Sequence, residues 1–125
     1  MSNEADTINW LQKIAANHKK EITALNYIFQ SDESLLHTNI QYLQHDYYTD
    51  IITFDYSEHS DLIEGDIFIS IDRVKDNSTT HKVTFEDELS RVMAHGLLHL
   101  IGFDDKSIEQ LNEMRNAEAK ALSLR

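Results

Sequence analysis

The chain has 125 residues, enough for one domain with a single core and too few for two. Hydrophobic residues make up 41% and charged residues 26%, proportions that suit a folded chain and exclude wholesale disorder. Eleven Lys and Arg against 22 Asp and Glu leave a formal net charge of −11, so a polyanion is repelled at long range and could bind only at a local basic patch or a bound divalent metal.

The absence of cysteine rules out a disulfide-linked partner, a thiolate metal cluster and a cysteine nucleophile, and suits a reducing compartment. Apolar runs last only a few residues, too short for a membrane span, and the first residues lack the basic and apolar stretches of a secretory signal. The expectation is one soluble, cytoplasmic domain over residues 1–125. There is no proline and there are only three glycines, Gly65, Gly96 and Gly102, so each glycine should mark a tight turn or a close approach.

In chain order, Asp6 or Thr7 can cap a helix reaching about residue 18, with Ile8, Leu11, Ile14 and Ala15 at helical spacing. Residues 22–30 read as a strand. Ser31 and Asp32 then offer caps for a helix carrying Leu35, Leu36, Ile40 and Leu43. Residues 49–56 alternate as a strand does, with Ile52, Phe54 and Tyr56 on one face. A polar loop follows over 57–64, and Gly65-Asp66 is read as a turn into the strand 67–71. Residues 72–82 form a short helix or an irregular connection. Thr84 opens a helix whose apolar residues are Phe85, Leu89, Val92, Met93 and Leu100, and Gly102 is placed to stop it. Ser107 caps a final helix through Leu111, Met114, Ala117 and Ala121. The mixture predicts an α+β fold: a small mixed sheet packed against several helices, with a metal site at the end of a helix followed by a glycine turn.

The chemistry concentrates in residues 93–105, M-A-H-G-L-L-H-L-I-G-F-D-D. His95 and His99 are four apart, so their imidazoles leave one helix face about 5–6 Å apart at Cβ. Two ring nitrogens so placed can reach one ion at the roughly 2.0–2.1 Å of a zinc–nitrogen bond. Gly102 lets the chain reverse and bring Asp104 or Asp105 beside them. Three protein ligands and an open position make up a catalytic zinc site. The bland alternative is a pair of half-buried histidines hydrogen-bonded to Asp104 and Asp105.

The stretch from His95 to Asp105 resembles the signature of YbeY-type endoribonucleases, His-Gly-x-Leu-His-Leu-x-Gly-Tyr-Asp-His. Thr49-Asp50-Ile51-Ile52-Thr53-Phe54 is similar to that family's Thr-Asp-Val-Leu-Ser-Phe, and Gly65-Asp66-Ile67-Phe68-Ile69-Ser70 to its Gly-Asp-Ile-x-Ile-Ser. Met114 and Glu118 stand where the family's last helix carries a Met and a Glu. Order and spacing agree from about Asn39 to Glu118. The resemblance implies a zinc-dependent, single-strand-specific endoribonuclease acting in 16S ribosomal RNA 3′-end maturation and ribosome quality control. It also implies a bacterial cytoplasmic setting and association with the small ribosomal subunit.

Two departures from the family pattern bear on chemistry. Asp105 stands where the family has a third histidine, so the resemblance makes His95, His99 and Asp105 the ligands. A carboxylate in that place lowers the net positive charge of the centre and shifts preference toward a harder divalent metal. Leu43 stands where an arginine associated with RNA cleavage is usual, and leucine cannot neutralise a phosphate. Arg91, one turn before His95, is the substitute phosphate contact read from the sequence, against the plainer reading of a surface i, i+3 pair with Glu88. Arg73, Lys75, Lys82 and His45 are further candidates for a basic rim. Asp104 is a candidate to orient a ligand imidazole or, equally, to cap the turn after Gly102.

Two other functions stay open on sequence grounds. The spacing His-x3-His-x5-Asp is that of a metzincin-like peptidase, although Gly96 occupies the place of the catalytic glutamate in H-E-x-x-H. A non-catalytic ribosome-binding protein with a structural zinc would tolerate both Leu43 and Asp105.

Overall fold

The computed structural model describes residues 4–44 and 49–125. Among them are five helices and three strands: α1 (Glu4–Asn17), β1 (Glu21–Gln30), α2 (Asp32–Leu43), β2 (Ile51–Asp55), β3 (Leu62–Ser70), α3 (Ile71–His81), α4 (Phe85–Ile101) and α5 (Ile108–Ser123). The fold is α+β, as the mixture of patterns predicts. His45, named above as a possible basic residue, lies outside the described residues.

The sheet has the order β1-β3-β2, with β1 parallel to β3 and β2 antiparallel to it. A bulge between Ile22 and Ala24 leaves Thr23 out of the ladder, and its hydroxyl donates to the Ile63 carbonyl instead. β3 alternates as a central strand covered on both faces should. Ile63, Ile67 and Ile69 are buried against the helices, while Phe68 stacks edge-on against Phe54 of β2 on the other side.

Gly65-Asp66 is not a turn. Both residues lie inside β3, paired with Leu25 and Asn26 of β1 and with Asp55 and Phe54 of β2. Glycine is needed at 65 for space: a Cβ there would lie 2.4 Å from the Phe54 carbonyl oxygen and 3.1 Å from a Leu100 methyl. A local Gly-Asp pair carries the signature of a turn, and the tertiary contact overrides it.

α1 begins at least two residues before the cap expected at Asp6 or Thr7. Its buried face is Trp10, Leu11, Ile14 and Ala15, whereas Ile8 is exposed. Trp10 satisfies its indole N–H on the Ala121 carbonyl at 2.8 Å, tying α1 to α5. The connection expected over 72–82 is a regular helix, α3, capped by the Ser70 hydroxyl, which accepts from the Arg73 N–H. Ser31 and Thr84 cap α2 and α4 as read from the sequence.

One hydrophobic cluster unites α1, β3, α3, α4 and α5. α4 is its centre, with Val92, Ala94, Leu97 and Leu98 essentially inaccessible. Each fully buried Leu or Val there contributes about 1.5–3 kcal/mol relative to exposure. No described helix is long and apolar enough to cross a membrane.

Candidate metal centre

α4 is held in register from both ends and from beneath. The Thr84 hydroxyl accepts from the Asp87 N–H, and Glu86, Asp87 and Glu88 lie at the positive end of the helix dipole. Gly96 faces the sheet, where a Cβ would stand 2.8 Å from Ile51 Cδ1 and 2.9 Å from Ile67 Cγ2. The close approach that glycine allows is therefore to side chains of β2 and β3. The Tyr27 hydroxyl of β1 donates to the Met93 carbonyl at 2.8 Å, and burial pushes this phenol far above its usual titration range, so it remains a donor.

The helix ends at Gly102, whose φ of 129° no L side chain adopts readily, with its N–H shared between the Leu98 and His99 carbonyls. The Phe103 N–H also returns to Leu98. This reversal carries Asp105 back over the last turn of α4. Ser107 then starts α5 with a full capping box, its hydroxyl and Gln110 bonding reciprocally.

His95, His99 and Asp105 come together, all half-buried. The two Nε2 atoms are 3.0 Å apart, and Asp105 Oδ2 lies 3.3 Å from His95 Nε2 and 3.4 Å from His99 Nε2. Ligands on one zinc with bonds of about 2.0–2.1 Å at tetrahedral angles are separated by roughly 3.3–3.4 Å, so the triangle is of the right size.

The donor chemistry agrees with the distances. His99 Nδ1 lies 3.1 Å from the Phe103 carbonyl, and His95 Nδ1 lies 2.6 Å from Glu118 Oε2. Both partners accept, so both Nδ1 atoms carry protons. In the neutral rings the Nε2 lone pairs then face one another and the Asp105 carboxylate. Three converging lone pairs favour a cation among them, and the group could hold a divalent metal.

The remaining expected residues are placed differently. Asp104 accepts the Asp105 N–H at 2.9 Å, while the Nδ1 atoms of His99 and His95 meet the Phe103 carbonyl and Glu118. Arg91, read as a phosphate contact, has its guanidinium engaged elsewhere. Its Nε and Nη2 donate to the two oxygens of Glu88 at 3.0 and 2.7 Å, and Nη1 donates to Glu118 Oε1 at 3.2 Å. The pair with Glu88 foreseen on a solvated face is largely internal, since Glu88 is 2% exposed. These bonds and charges raise the Arg91 pKa against the opposing effect of burial. At Glu118, burial pushes the carboxyl up, but bonds and charges from His95 and Arg91 outweigh it and hold the group below the usual glutamate range.

Arg73 bonds to Asp32, and Lys75 and Lys82 are exposed on α3 and at its C-cap. Leu43 ends α2 and is exposed.

The sequence profile described as Endoribonuclease YbeY matches residues 2–124. The chain belongs to the YbeY endoribonuclease family. Curated YbeY endoribonucleases resemble it over nearly its whole length. The protein from Cytophaga hutchinsonii is 58% identical over 97% of this chain and 85% of its own. That from Bacteroides thetaiotaomicron is 48% identical over 96% and 87%. A solution structure of a Thermotoga maritima protein shares the fold with a TM-score of 0.66, at 28% identity, over 95% of this chain and 81% of that one.

Against the YbeY signature, the histidine pair and glycine turn fall at the converging imidazoles, with the Asp105 carboxylate beside them in a group that could hold a metal. Glu118 is the functional candidate whose contact the sequence reading did not anticipate. Its signal was present: a carboxylate interrupts the apolar series Met114, Ala117, Ala121 on α5, where burial without a partner would be costly.

Proposed function

We propose that this chain is a zinc-dependent, single-strand-specific endoribonuclease. In this reading residues 1–125 form one cytoplasmic nuclease domain that hydrolyses phosphodiester bonds. It acts in 16S ribosomal RNA 3′-end maturation and ribosome quality control, on the small ribosomal subunit. Family membership supports the nuclease activity. The observation that carries the metal dependence is the convergence of His95 Nε2, His99 Nε2 and Asp105 Oδ2 within 3.0–3.4 Å of one another.

His95, His99 and Asp105 would hold the ion. When bound, zinc supplies a Lewis acid beside a phosphodiester oxygen and lowers the pKa of water. Asp105 neutralises one unit of its charge, which histidine would not, and so tempers the attraction for phosphate. Gly96 leaves no carboxylate next to His95, so a peptidase mechanism would lack its general base.

The test is incubation of the purified protein with a labelled single-stranded RNA, with and without a chelator. Internal cuts that vanish on chelation and return with added zinc are expected, with duplex RNA left intact. Zinc-loaded protein that leaves RNA uncut, or that cuts peptides instead, contradicts the proposal.

A further inference from the structure

The two ligand histidines are oriented by different means. His99 directs Nδ1 at the carbonyl of Phe103, a contact built into the helix end itself. His95 depends on a side chain from another helix, Glu118 of α5, 2.6 Å away. We infer that Glu118, held by Arg91, which Glu88 anchors in turn, is the positioning residue that fixes His95 in the tautomer able to bind metal. The inference rests on the metal centre proposed above and adds the device that prepares it.

A neutral imidazole can carry its proton on either nitrogen, and only the Nδ1–H form leaves Nε2 bare for coordination. A carboxylate at Nδ1 selects that form and makes the ring a better donor. Such a carboxylate is itself costly, because Glu118 is only 6% exposed. The arrangement offsets this by giving each oxygen one partner: Oε1 takes Arg91 Nη1, and Oε2 takes His95 Nδ1.

Arg91 is fixed in turn by its two-point contact with Glu88, which is 2% exposed. Arg91 and His95 are one turn apart on α4, so a single residue of α5 reaches both. A contact that only fastened α5 to α4 would need no second oxygen aimed at a ligand ring. The ion pairs are arranged in the same sense: Arg91 lies between Glu88 and Glu118, and the second oxygen of Glu118 is left for His95.

The test combines imidazole tautomers with zinc affinity in the full chain. Long-range proton–nitrogen spectra of the zinc-free protein, taken where the rings are neutral, should show His95 as the Nδ1–H tautomer. Glu118→Ala should shift His95 toward the Nε2–H form, leave His99 unchanged, and weaken zinc binding in chelator competition by roughly 10–100-fold.

Glu118→Gln keeps the volume should the alanine variant fail to fold. Its amide nitrogen must face either Arg91 or His95 Nδ1, both donors, so zinc affinity should fall by about tenfold. Wild-type His95 in the Nε2–H form overturns the inference without any variant. So does a folded Glu118 variant that holds zinc within about twofold of wild type. A wild-type chain that binds no zinc overturns the metal centre as a whole, and this inference with it.

Discussion

Gly96 rides directly on Ile67: a Cβ at position 96 would lie 2.9 Å from Ile67 Cγ2, closer than packed carbons tolerate. His95, next to this glycine, and His99, three residues on, therefore sit on a stretch of α4 packed tightly on the sheet. Placement of the two imidazoles is a consequence of packing as much as of helical spacing.

Gly96→Ala should accordingly destabilise the protein. Alanine gains about 1 kcal/mol of helix propensity, but forcing a methyl against Ile67 and Ile51 costs about 1–3 kcal/mol. A net loss of about 1 kcal/mol is expected as a lower urea midpoint. An unchanged or raised midpoint would mean that the sheet yields without cost.

Arg91→Met tests whether Arg91 is an internal clamp or a phosphate contact. The substitution leaves Glu88 and Glu118 buried without their cation, a loss on the order of 3 kcal/mol. Urea unfolding should show it. The salt dependence of RNA affinity should change by less than the roughly one unit of slope that a lost phosphate contact removes.

His18 gives the molecule an acid-sensitive element away from the centre. Burial, then the charges of Lys120 and Lys20, hold its imidazole below its ordinary value, and its ring meets Phe103 edge-on at 5.3 Å. As pH falls, the unfolded chain takes up this proton first. The stability tied to the neutral ring is therefore complete above about 6.5 and is lost as pH drops toward the lower folded value. His18→Gln should flatten the decline of the urea midpoint between about pH 7 and 5.5; an identical decline would remove His18 as its source.

Asp105→His replaces the one carboxylate of the proposed metal-binding group. Zinc should be retained and its unneutralised charge should increase, so phosphodiester cleavage should accelerate by roughly tenfold, about 1.4 kcal/mol of barrier. Single-turnover cleavage of a short single-stranded RNA measures it. A slower rate in a variant with full zinc would show that the charge of Asp105 serves the reaction.

Local signals made most elements legible. Ser31, Thr84 and Ser107 are caps, Gly102 is a stop, and His95 and His99 are one turn apart. What the sequence concealed depends on contacts between distant segments. Gly65 has the local signature of a turn, yet lies mid-strand because Phe54 and Leu100 press on it. The parallel pairing of β1 with β3 joins residues about forty apart, beyond any window of periodicity. At the site, Asp105 follows His99 closely enough to be foreseen, whereas the bond from His95 to Glu118 spans 23 residues. Arg91 and Glu88 read as surface because charged residues usually are; Glu88 is buried and His81 of α3 lies beside it, while Glu118 of α5 reaches Arg91.

Metal stoichiometry across the ligand variants tests the centre most directly. Elemental analysis of the purified wild-type protein should find about one zinc per chain, and His95→Ala and His99→Ala, folded by circular dichroism, should hold almost none. Zinc retained at full stoichiometry by either variant would contradict a centre built on His95, His99 and Asp105.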